Sequence, residues 1–216
     1  MALGGVPHYL DKIMQGESVA QIIDRLCFEK NGFLRTEFEN VFASFFANSD
    51  NHERIIRALA SVRKGMTRNE LLQKSKLISG GRLSKTLSEL EESGFIECYT
   101  PYKGQTNSVY RLADEYSMFY LKFIEKSKPD KSGVWIKMMG KPSFKTWSGF
   151  SFETICIKHI DQIKAGLQIA GINSYHGSWI SKKAEENHQI DLLIDRDDNV
   201  INLCEIKFIN SEFILD

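Results

Sequence analysis

Between residues 48 and 112 the hydrophobic period of the chain switches from helical to strand-like in a fixed order, and this order limits the fold more than any other feature. Arg54 to Lys64 reads as an amphipathic helix with Ile55, Ile56, Leu59 and Val62 turned inward, and Gly65 ends it. Thr67 followed three residues later by Glu70 is a capping box, and it starts a second helix that runs through Leu71 and Leu72 to about Lys76. Ser79-Gly80-Gly81 is a turn. Leu83, Leu87 and Leu90 give a third helix, which stops at Gly94. Phe95 to Tyr99 then reads as a strand, Pro101 to Asn107 as a turn, and Ser108 to Leu112 as the returning strand.

Three helices followed by a β-hairpin make a winged helix-turn-helix, expected over residues 48–112. Its third helix carries Arg82 and Lys85, with Ser84, near the end where a recognition helix meets double-stranded DNA. Lys103 on the wing is placed to touch phosphate. The same helix turns acidic at Glu89, Glu91 and Glu92, which keeps a protein-interaction role open. Gly81-Arg82-Leu83-Ser84-Lys85-Thr86 is not a phosphate loop, because no glycine precedes the lysine and no strand precedes the turn.

The flanking segments suggest an α+β multidomain protein. Residues 1–47 read as helical and apolar, with Val19, Ile22, Ile23 and Leu26 at helical spacing and Phe28, Phe33, Leu34, Phe38, Phe42, Phe45 and Phe46 close behind. So much apolar surface must pack on the rest of the chain or belong to a larger domain. Residues 113–147 read as a helical linker, aromatic at Tyr116, Phe119, Tyr120 and Phe123 and polar from Lys126 to Gly133.

Charge is uneven although it sums to zero: residues 51–112 hold 11 Lys/Arg against 6 Asp/Glu, and residues 184–216 hold 2 against 9. That split suits a nucleic-acid or partner surface followed by a carboxylate site. The four cysteines, Cys27, Cys98, Cys156 and Cys204, have no metal-ligand spacing and read as reduced thiols of a cytoplasmic protein. No apolar run is long enough to cross a membrane, and no membrane partner is expected.

Residues 148–216 begin with a helix from Ser151 to about Ala165 and continue with three strands, Ser174–Ser181, Gln189–Asp195 and Val200–Lys207. The last two are joined by a turn at Arg196-Asp197-Asp198-Asn199. Glu205 and Lys207, two apart on a strand, emerge on one face. Asp191 on the neighbouring strand can lie beside Glu205. Two carboxylates make a hard-oxygen site that suits Mg²⁺, and Lys207 can stabilise charge on a reacting phosphate or help activate a metal-bound water. Glu153 on the preceding helix is placed to reach the metal or its water shell. The bland alternative is a solvated hairpin face with salt-bridged side chains.

Asp191 in Gln189-Ile190-Asp191-Leu192-Leu193-Ile194, the Glu205-Ile206-Lys207 triplet, and Glu153 in Ser151-Phe152-Glu153 together resemble the PD-(D/E)XK, restriction-endonuclease-like nuclease superfamily. Ile190 departs from the nominal proline of that pattern. The resemblance implies metal ligation by Asp191 and Glu205 and catalytic support from Lys207 and Glu153. A C-terminal helix expected by the fold lies beyond the matched residues, so the domain reads as incomplete.

Two further stretches resemble the archaeal-type AAA ATPases: Leu3-Gly4-Gly5-Val6-Pro7-His8-Tyr9-Leu10, similar to a segment of their helical lid, and Tyr116 to Phe123, similar to the aromatic segment after their winged helix. Their order is ATPase core, lid, winged helix, then a nuclease-like domain of the DUF234 type. The resemblance implies that residues 1–47 are a lid remnant. No Walker loop occurs in the chain, so no ATP hydrolysis is expected from it alone, and an ATPase core or another protein is an expected partner.

Overall fold

A computed structural model describes residues 1–62, 65–78, 80–99, 102, 108–128, 133–180, 188–209 and 211. The chain is α+β, with two small antiparallel three-stranded sheets among the described residues. It divides into two compact units: Met1–Tyr99 with Ser108–Lys141, and Thr100–Asn107 with Pro142–Asp216. No described helix is long and apolar enough to cross a membrane.

The first unit opens with helices α1 (Pro7–Leu10), α2 (Val19–Ile23) and α3 (Glu37–Phe45). Ser18 and Gln21 form a reciprocal capping box at the start of α2. At Asp24 the helix widens into a π turn that ends with the Glu29 amide bonded to the Asp24 carbonyl, 3.0 Å. The wider turn lets Leu26, Cys27 and Phe28, three consecutive residues, all stay buried. A second π turn, Tyr120–Ile124, continues α7 (Glu115–Phe119) in the same way.

These two wide turns meet around Trp135 of α8 (Val134–Met139). Phe28 stacks on the indole at 5.9 Å, and Phe119 and Phe123 approach it edge-on at 5.0 and 5.3 Å. Phe38 stacks on Tyr120 at 4.4 Å, and the buried Tyr116 hydroxyl donates to the Leu34 carbonyl at 2.8 Å. The apolar N-terminal segment therefore buries its aromatic face on its own chain, and of the linker expected over residues 113–147 the part up to Lys141 falls in the same compact unit.

Asp24 sits at the centre of this arrangement, 2% exposed. Its carboxylate accepts the amides of Gly133 at 3.0 Å and Trp135 at 2.6 Å, so it caps α8 from more than a hundred residues away. Asp24→Ala leaves two donors unmade, the buried Trp135 amide and the half-buried Gly133 amide, and is expected to cost about 3 kcal/mol, with Asp24→Asn costing less because its amide oxygen still accepts one of them. Urea unfolding checks this; an unchanged midpoint in the alanine variant would contradict the capping role.

The middle of the unit follows the order read from its periodicity. Helix α4 (Asp50–Ala60) buries Ile55, Ile56 and Leu59 and begins four residues earlier than Arg54. A two-residue strand β1 (Met66–Thr67) precedes α5 (Arg68–Ser75), whose capping box is Thr67 with Glu70. Helix α6 (Gly81–Glu92) buries Leu83, Thr86, Leu87 and Leu90. It closes at Gly94, φ 75°, with the Phe95 amide on the Leu90 carbonyl at 2.9 Å. Strands β2 (Ile96–Tyr99) and β3 (Val109–Leu112) follow, and the sheet order is β1-β3-β2. Gly65, φ 76°, lies so close to β3 that a Cβ there would sit 2.5 Å from the Tyr110 carbonyl oxygen.

The second unit holds α9 (Pro142–Lys158), α10 (Ile160–Gly166) and the antiparallel sheet β4 (Ser174–Ile180), β5 (Gln189–Arg196), β6 (Ile201–Cys204), in that spatial order. The single helix expected from Ser151 to Ala165 is two. It starts at Pro142 and breaks at His159, whose amide is shared between the Ile155 and Cys156 carbonyls while its ring Nδ1 lies 2.8 Å from the Ile155 oxygen. The core pairs Ile160 and Ile169 with Leu192 and Ile194, with Cys204 and Ile206 packed on the same cluster. The β5–β6 turn closes through the Arg196 amide on the Val200 carbonyl, with Asn199 at φ 66°.

Candidate functional site

The face of the second sheet opposite its core is set by alternation along β5 and β6. Leu192 and Ile194 enter the core with Cys204 and Ile206, so Asp191, Glu205 and Lys207 take the other side. The register pairs Leu192 with Cys204, and the next step brings Asp191 opposite Glu205.

β6 ends at Cys204, three residues short of the strand expected to run to Lys207. The reason lies in Asp191 itself. Its Oδ2 accepts the Ile206 amide at 3.0 Å, so a side chain takes a backbone donor that a longer ladder would use. Its Oδ1 accepts from the Gln189 side-chain amide at 3.3 Å. Gln189 was not among the residues singled out from sequence; its signal was present, since residues two apart on a strand share a face.

Glu205 and Lys207 form a direct ion pair on this face. The hydrogen bond to Glu205 raises the Lys207 pKa above the ordinary lysine value; partial burial opposes this, and the charges of Glu205, Asp191 and Glu153 add to the rise. The ammonium thus senses carboxylates from β5, from the segment after β6, and from α9. Phe152, beside Glu153, packs its ring against Phe208 at 5.6 Å, which brings that turn of α9 to the segment carrying Lys207. The thiol of Cys156, one turn along α9, is pushed up by burial first and by the charge of Glu153 second.

Among the described residues no group of three or more His, Cys, Asp or Glu side chains could hold a metal ion. Mg²⁺ does not require one, because it is commonly held by one or two carboxylates with water completing its shell. Asp191 and Glu205 supply such a hard-oxygen pair across adjacent chain segments, so the donor chemistry fits. In this arrangement Glu205 is engaged by Lys207.

In the first unit, Arg82 and Lys85 lie exposed on α6. Lys85 leans toward Glu89, 3.7 Å away, and Glu91 and Glu92 are exposed further along the helix. Arg68, not singled out from sequence, joins this end of α6 by donating to the Ser84 hydroxyl at 3.0 Å. Lys103 lies outside the described residues.

Comparison with known proteins finds no matching family model, no matching curated protein and no matching solved structure.

Proposed function

We propose that the second unit is a nuclease-like domain of the PD-(D/E)XK kind that cleaves DNA with Mg²⁺, and that residues 48–112 form a winged helix that binds double-stranded DNA. The observation that carries this reading is the Glu205–Lys207 ion pair standing across from Asp191, whose Oδ2 accepts the Ile206 amide that lies between the two. Asp191 and Glu205 are the ligands for Mg²⁺, which supplies Lewis-acid activation of water and phosphate when bound. Lys207 places a positive charge where negative charge grows on the phosphate oxygens. Glu153 on α9 supports the metal or its water shell.

The test is cleavage of supercoiled plasmid by the intact chain with Mg²⁺ or Mn²⁺. Lys207→Ala, with its fold checked by circular dichroism, is expected to lower the rate by on the order of 100-fold. Cleavage that is metal-independent, or unaffected by this change, removes the nuclease reading.

A second reading is favoured by the Glu205–Lys207 pair and the mixed charge of α6: a non-catalytic module that binds DNA or a partner protein. Arg82→Glu with Lys85→Glu separates these ligands. Loss of DNA affinity with a salt slope flattened by roughly one unit per lost phosphate contact supports DNA as the ligand. Unchanged DNA affinity favours a protein.

The resemblance of residues 3–10 and 116–123 to archaeal-type AAA ATPases makes an ATPase core the partner we propose for the first unit.

A further inference from the structure

We propose that Lys207 acts as a tethered counter-ion that competes with a divalent cation for Glu205, so that the site binds metal weakly until the ammonium is drawn away. This rests on the metal-site reading given above. The geometry behind it is local. Glu205 and Lys207 stand two residues apart on one side of the chain and are in direct contact. Asp191 is held across from them by the Ile206 amide at 3.0 Å, and that amide lies between the two members of the pair. The ammonium therefore occupies the concentration of negative charge that a hard cation would take, and Glu153 adds to the field that keeps it there. The lysine side chain remains 43% exposed against 29% for Glu205, so it can leave while the carboxylate stays.

Lys207 must part from Glu205 before both oxygens of that carboxylate are free to ligate. An anionic phosphodiester arriving at the site offers the ammonium an alternative partner, so substrate and metal would bind with positive coupling. The lysine then serves both states: it neutralises the carboxylates in the resting protein and the phosphate in the loaded one.

The experiment is Mn²⁺ binding to the intact chain without DNA, followed by calorimetry and by the loss of the free-ion paramagnetic resonance signal. Lys207→Met keeps the aliphatic stem and removes the charge, and it is expected to bind Mn²⁺ roughly tenfold more tightly than the unaltered protein. Asp191→Asn in the Lys207→Met background is expected to lose that gain. Equal or weaker affinity in Lys207→Met overturns the proposal, as does tighter binding that survives Asp191→Asn. Failure here is distinct from failure of the nuclease reading. A plasmid-cleaving protein whose Mn²⁺ affinity ignores residue 207 keeps its activity and loses this proposal. A non-cleaving protein whose affinity rises in Lys207→Met keeps the counter-ion and loses the nuclease.

Discussion

Replacing Phe119 with alanine is expected to destabilise the first unit by about 3–5 kcal/mol. Phe119 is fully buried and touches the rings of Phe28, Phe123 and Trp135, which come from three separate stretches of chain. Its loss opens a cavity bounded by two π turns, and backbone held in that form cannot collapse inward without giving up its own hydrogen bonds. Thermal unfolding should show a fall of about 10 °C or more in Tm. The emission of Trp135 should shift to the red as water reaches the indole. Ile136, next to Trp135 but 56% exposed, is the control, and Ile136→Ala should change stability by less than about 0.5 kcal/mol. Similar effects at the two positions would mean that the aromatic cluster does not hold the N-terminal helices.

The second large effect concerns the carboxylate face. Asp191→Asn keeps an oxygen able to accept the Ile206 amide, so the link across the end of the sheet survives. It removes the negative charge that a hard cation needs. Metal-dependent cleavage is therefore expected to fall at least about 100-fold while the unfolding midpoint moves little. Asp191→Ala removes both, leaving the Ile206 amide without its acceptor, and should lower stability by a further ~1 kcal/mol or more. If asparagine and alanine behave alike in unfolding and neither affects cleavage, Asp191 has neither role.

The element order from Thr67 to Leu112 is legible in the sequence because its signals are local: a capping box, leucines at helical spacing, and Gly94, which closes α6. The candidate site is legible in outline for the same reason, since Glu205 and Lys207 differ by two and Asp191 lies across a short turn. What escapes sequence reading depends on distant partners. β1 is two residues long and exists only through its pairing with β3. Asp24 looks like one more polar helix residue until the amides of Gly133 and Trp135 arrive. Both π turns replace a regular period by a run of consecutive buried residues, which a search for helical spacing cannot separate from a strand. The early end of β6 comes from a single side-chain oxygen, and no periodicity encodes it.

The π turns have a consequence for how this chain tolerates change in length. Each holds one residue more than the α-helical turn it replaces, so deleting a single residue within Asp24–Phe28 would convert the wide turn to an ordinary one and break the run of three consecutive buried side chains, Leu26 to Phe28. Phe28 would leave its stack on Trp135, and the Asp24 carboxylate would swing off the amides it caps. Insertions and deletions that an ordinary surface helix absorbs by sliding are barred at these two places. In related chains, residues 24–28 and 120–124 should therefore align without gaps even where side chains differ, and a gap there would mark a protein with a differently packed first unit.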